Sequence, residues 1–216
     1  MIKLIRTFLY HILKRTVFYS LYILLTKSML RNVGWFRSRK ELCPVDREGN
    51  PLPFYVYPAI RFLENRVQPD MTVFEFGCGN STLWWAKNVK RVISCEHDRA
   101  WYDKIRMIAP DKVEMHYLEL EPDALYARHI LQYPDSIDIA VIDGRDRVNC
   151  AKHVIFGLKE DGVIIWDNSD REKYQKGFRF LAENKFKRLD FIGMAPVIHL
   201  SSCTSIFYRE NNCFDI

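Results

Sequence analysis

The spacing of apolar positions changes twice along the chain. In the first thirty residues, Ile2, Ile5, Leu9, Ile12 and Leu13 recur at helical intervals and lead into a denser apolar run between Thr16 and Thr26. That spacing predicts an amphipathic helix. Residues 38–57 lose the periodicity and are rich in proline, glycine and charge, the composition of a linker. From Pro58 onward, short apolar runs alternate with helical spacings. Helices are expected over 58–67, 82–89, 98–109, 123–133, 148–159 and 172–184, with Pro58 at a first helical position and Asp98 opening the third of them. Strands are expected over 71–76, 91–97, 112–120, 137–143 and 162–168, then over 186–194 and 203–210 with no helix between these last two. Regular β–α alternation implies a mostly parallel α/β sheet covered by helices on both faces, and the unbroken apolar character of 137–143 agrees. The two closing strands can pair as a hairpin, which puts one antiparallel strand into the sheet. The chain therefore divides into a helical arm (1–37), a linker (38–57) and one α/β domain (58–216).

Charge separates the arm from the domain. Nine of the 32 basic residues and none of the 27 acidic residues lie in the first forty positions, so the +5 chain consists of a strongly basic arm and a body of net −4. A nucleic-acid enzyme more often carries its basic charge around the catalytic body, so no nucleic-acid partner is expected. The arm points instead to an anionic surface such as a membrane. Its uncharged run, Thr16 to Thr26 between Arg15 and Lys27, is 11 residues long, where a spanning helix needs roughly 20. No small-residue cleavage site follows it, against a signal peptide. A helix lying in the membrane interface fits this pattern; a helix packed on its own domain or in a dimer is the alternative. The six cysteines include no Cys-x-x-Cys pair and several fall in expected strands. They read as buried thiols of a reducing compartment, so the expected location is the cytoplasm, peripheral on the inner face of the membrane.

In a sheet of this kind, ligands bind beyond the carboxyl ends of the strands. The residues there are Glu75 to Asn80, Glu96 and His97, Asp143, and Asp167 with Asn168. Gly77 and Gly79 form a turn that lets a ligand approach backbone amides, but a dinucleotide fingerprint wants a third glycine where Thr82 stands. Glu75 beside that turn would repel a pyrophosphate and favours a cationic ligand with amine donors, which describes S-adenosylmethionine. Glu96 ends the second strand, where a carboxylate accepts hydrogen bonds from two ribose hydroxyls.

The segments EFGCGNST (75–82), ISCEHD (93–98), IDIAVIDG (137–144) and GVIIWDNSD (162–170) resemble the class I S-adenosylmethionine-dependent methyltransferases over residues 58–209. The resemblance implies a Rossmann-like seven-stranded sheet, mostly parallel with its last strand antiparallel. It also implies cofactor contacts from Glu75, Gly77 and Gly79 to the methionyl end and from Glu96 to the ribose, with Asn80, Ser81 and His97 as neighbours; Asp143 is a further cofactor-binding candidate.

Asp143 and the pair Asp167–Asn168 are hard oxygen donors at neighbouring strand tips, a set suited to Mg²⁺. This stretch is similar to the catechol-type, metal-dependent O-methyltransferases, in which a metal lowers the pKa of the acceptor hydroxyl. Asp146, preceded by Arg145, stands where those enzymes commonly place a lysine base. The catalytic candidates are Asp143, Asp167 and His97, and the metal candidates Asp143, Asp167 and Asn168. The expected function is methylation of a small-molecule or glycan hydroxyl. A nicotinamide-dependent oxidoreductase and a non-catalytic membrane-tethered protein are the alternatives.

Overall fold

The computed structural model describes residues 13–120 and 125–216. Among them the apolar runs form one sheet of seven strands: β1 (Thr72–Phe76), β2 (Arg91–Glu96), β3 (Val113–Tyr117), β4 (Ile137–Ile142), β5 (Leu158–Asp167), β6 (Lys187–Gly193) and β7 (Ser202–Tyr208). Their order is β3-β2-β1-β4-β5-β7-β6. β7 alone runs antiparallel, paired on both sides with β5 and β6, as the missing helix between the last two strands implied.

The helices are α1 (Val17–Lys27), α2 (Met29–Asn32), α3 (Trp35–Glu41), α4 (Tyr57–Leu63), α5 (Asn80–Asn88), α6 (Arg99–Arg106), α7 (Leu125–Arg128), α8 (Arg147–Val154) and α9 (Gln175–Glu183). Side chains alternate across a strand, so each central strand feeds two cores. Val73, Val141 and Ile165 pack with residues of α4 and α5, including the fully buried Leu63 and Trp85. Phe74, Phe76, Ile142 and Trp166 pack on the other face with Tyr126, Ala151 and Leu181 of α7, α8 and α9. Asp98 caps α6 as expected, its carboxylate accepting the Trp101 N–H at 2.9 Å.

Several boundaries differ from the sequence pattern. Residues 38–57 are part of the body, with Tyr55 and Val56 fully buried and Val45 and Leu52 in the core as well. The proline, glycine and charge there mark one tight turn, where the Asp46 carboxylate accepts the Asn50 N–H at 2.7 Å and Val45 bridges Pro51. The body begins earlier still: Trp35 Nε1 of α3 donates to the Ile198 carbonyl at 2.7 Å, and the buried Ser38 hydroxyl donates to the Val45 carbonyl at 2.6 Å. Further on, the expected helix 148–159 stops at Val154, because Leu158 already pairs with Ile137 of β4 across a register shift. Of the expected helix 123–133, α7 and a 3₁₀ turn (His129–Gln132) are seen; its first two positions lie outside the described residues.

Candidate functional site

The strand order reverses between β1 and β4, so the crevice beyond their carboxyl ends is where this topology places a ligand. Gly77 leaves β1 with φ of +101°, a conformation that L side chains rarely adopt. It also packs on Gly144 after β4, whose backbone a Cβ on Gly77 would meet at 3.1 Å. A Cβ on Gly144 would stand 2.1 Å from the Tyr126 hydroxyl. Two glycines therefore let the tips of β1 and β4 close on each other. Thr82 explains the absent third glycine: its hydroxyl accepts the Gly79 N–H at 3.0 Å and donates to Glu75 Oε2. A bridging hydroxyl ties the turn to the acid below it.

Glu75 is fully buried, and among the described residues its Oε1 has no hydrogen-bond partner. Burial raises its pKa to about 8, against the pull of the Ser81 and Thr82 hydroxyls and with the help of the nearby Asp143 charge. Across the turn, Glu96 accepts three backbone N–H bonds, from Cys78 at 3.0 Å, His97 at 2.8 Å and Asp98 at 2.9 Å. These fix the carboxylate at the edge of the cleft. Asn80 is committed elsewhere: its amide donates to the Pro44 carbonyl at 2.6 Å and to Cys43 Sγ, holding residues 43–44 against the glycine turn. Ser81 is buried beside Glu75.

Two cavities of about 430 and 420 Å³ meet at this point and share Phe54, Trp101 and Asp143. Glu96, His97 and Asn168 line one; Cys78, Gly79, Asn80 and Ser81 line the other. Trp101 stands over the glycine turn, its indole N–H donating to the Cys78 carbonyl at 2.6 Å. His97 Nδ1 lies 2.7 Å from Glu96 Oε1, and its side chain keeps 27 % of its surface exposed.

The three metal candidates do not converge. The space between the tips of β4 and β5 is taken by Arg147, the first residue of α8, itself only 6 % exposed. Its guanidinium donates to the Asp143 carboxylate at 3.0 Å and to the carbonyls of Asp143, Gly144 and Asp167. Asp167 is buried, with Oδ1 accepting from Thr204 at 2.6 Å, and lines neither cavity. Burial, followed by the Asp143 charge, raises its pKa. Asn168 sits at φ of +51° with its amide toward Ser202. Among the described residues no group of three or more His, Cys, Asp or Glu side chains could hold a metal ion. The donor set does not fit Mg²⁺: one carboxylate is paired with a fixed cation and another faces the core. Of the catalytic candidates, His97 and Asp143 line the cleft and Asp167 faces Thr204.

Phe54 belongs to the aromatic run 53–58 that the sequence offers as a pocket wall, whereas Arg147 and Trp101 stand outside every sequence expectation. Arg147 was detectable in part, since it lies four residues after Asp143, one helical turn away; the packing of Trp101 over the glycine turn leaves no mark in the spacing.

No family model and no curated protein matches the sequence. Solved structures do match. A precorrin-6y C5,15-methyltransferase from Geobacter metallireducens superposes with a TM-score of 0.55 at 16% identity, over 70% of this chain and 87% of that one. A methyltransferase from Geobacter sulfurreducens gives 0.54 at 16% identity, over 89% and 95%. The fold is that of the class I methyltransferases. The methyltransferase fold alone does not fix the reaction, since the spermidine synthase of Thermotoga maritima shares it with a TM-score of 0.54 at 14% identity, over 68% and 56%. The cofactor implied by the methyltransferase fold can be tested on this site. Glu75 lies fully buried under the turn and lines neither cavity, and its Oε1 is the atom there that suits a ligand ammonium group; the glycines flanking Cys78 suit close approach, and the anchored Glu96 suits a vicinal diol. The residues present fit S-adenosylmethionine.

Proposed function

We propose that this protein is an S-adenosylmethionine-dependent methyltransferase acting on a hydroxyl of a small molecule or glycan. The observation that carries the reading is the pairing of the orphaned Glu75 oxygen with the amide-anchored Glu96 on either side of the Gly77–Gly79 turn. When bound, the cofactor supplies an electrophilic methyl group on a sulfonium. The Gly77–Gly79 turn and Glu75 face its amino-acid end, and Glu96 holds the ribose. The residues then act chiefly by orientation, which can supply about 7–11 kcal/mol when the reacting atoms are aligned. His97, at the wall of the cleft beside Glu96, accepts the acceptor hydroxyl's proton, a role typically contributing 10²–10⁴-fold. Phe54 and Trp101, 36 % and 41 % exposed at the cleft, offer ring faces to the C–H edges of a sugar.

Calorimetric titration tests the cofactor half. S-adenosylhomocysteine is expected to bind and NADH not to bind. Glu96→Gln, which turns one of two acceptors into a donor facing the ribose, is expected to cost about 1–3 kcal/mol of that affinity. Binding of NADH in place of S-adenosylhomocysteine sinks the reading in favour of an oxidoreductase.

A further inference from the structure

α1 has no buried residue. At 100° per residue, Leu24, Val17, Leu21, Leu25, Phe18 and Tyr22 fall on one face about 160° wide, and all six are exposed, Phe18 to 84 % and Val17 to 72 %. Tyr19 and Ile23, on the opposite side, are the half-buried apolar residues of the helix. The apolar face thus points away from the protein, the reverse of a helix that packs on its own domain. An outward apolar patch of this size marks an interaction site.

Charge selects the occupant. Lys14 and Arg15 precede the helix, Lys27 ends it and Arg31 follows in α2, while residues 1–40 hold no acid. A second copy would bring an equally basic arm against the first, with no acid on the arm to pair it. An anionic bilayer supplies both the apolar medium and the opposite charge. Eleven residues make a helix about 16 Å long, against a hydrocarbon core of about 30 Å, and no helix of the described residues is long and apolar enough to cross a membrane. We infer that α1 lies in the interface of an anionic lipid bilayer, its Val17–Phe18–Leu21–Leu25 face in the acyl region and its flanking Arg and Lys at the headgroups.

The full chain is expected to co-sediment with phosphatidylglycerol–phosphatidylcholine vesicles and to bind pure phosphatidylcholine at least tenfold more weakly. The triple variant Phe18→Glu, Leu21→Glu, Leu25→Glu should lose vesicle binding at least tenfold with an unchanged circular dichroism melt, because none of these side chains is buried. Arg15→Gln, Lys27→Gln, Arg31→Gln, which spares the apolar face, should weaken anionic binding roughly a hundredfold at low salt, at about 1 kcal/mol per basic residue. Vesicle binding that survives both variants, or a wild-type chain that ignores anionic vesicles, overturns the inference. So does a dimer by light scattering that the apolar-face variant dissociates while no lipid is bound, since that outcome assigns the face to a second copy.

Discussion

Replacing Arg147 with alanine is expected to lower the unfolding free energy by about 3 kcal/mol, the lower end of the cost of stripping one partner from a buried charge pair. The guanidinium joins the tips of β4 and β5 through four acceptors, three of them carbonyls with little access to water. Asp143, 23 % of whose side chain meets solvent beside Arg147, is left in the variant with no cation bonded to it. Burial already raises its pKa, and Arg147 is the main influence holding it down. The loss should therefore grow as pH rises and Asp143 must ionise unpaired. Arg147→Lys retains the charge but cannot reach four acceptors with a planar fork, and should recover less than half of the lost stability. Urea denaturation at pH 6 and pH 8 measures both effects; a loss under 1 kcal/mol at both would mean the guanidinium is not what holds the two tips together.

The ligand-free protein is expected to lose stability as pH rises, and Glu75→Gln is expected to remove much of that loss. Burial raises the Glu75 pKa to about 8 in the folded chain, against about 4.5 in the unfolded one. For an acid raised in this way, the folded state holds the proton more tightly. The stability it confers is complete below about pH 4.5 and declines as pH climbs through about 8. The full amplitude is on the order of 5 kcal/mol, taking about 1.4 kcal/mol for each pH unit. Asp167 and Asp143 are raised as well and add to the same trend, so the variant should flatten the profile without levelling it. A ligand ammonium placed at Glu75 Oε1 favours the ionised carboxylate. Affinity for S-adenosylhomocysteine should then increase up to about tenfold per pH unit between pH 6 and 8 in the wild type and stay flat in Glu75→Gln. Parallel pH profiles for the two proteins would remove Glu75 from the cofactor site.

Much of this architecture could be read from the chain because its signals are local. The alternation of apolar runs and helical spacings, the Asp98 cap and the absence of a helix between the last two strands each follow from a few neighbouring residues. The glycine turn and the two acids beside it were readable for the same reason, being set by strand ends. What could not be read depends on contacts between distant segments. Tyr55 and Val56 sit among prolines and glycines, and only their packing against Trp85 and the sheet makes them core. The metal expectation failed on the same ground: Asp143, Asp167 and Asn168 stand at the expected strand tips, but the direction of Asp167 toward Thr204 and the insertion of Arg147 are decided by α8 and β7. The outward apolar face of α1 was visible as periodicity, whereas its orientation away from the body was not.

A crystal structure of the protein with S-adenosylhomocysteine should show the ligand in the crevice between β1 and β4. The expected result places the ribose hydroxyls within hydrogen-bond distance of both Glu96 oxygens, the amino-acid end over Gly77–Gly79 with its ammonium toward Glu75, and the sulfur opening toward His97 and Asp143. Density for the ligand away from Glu96 and the glycine turn, or an empty crevice at saturating ligand, would contradict the account.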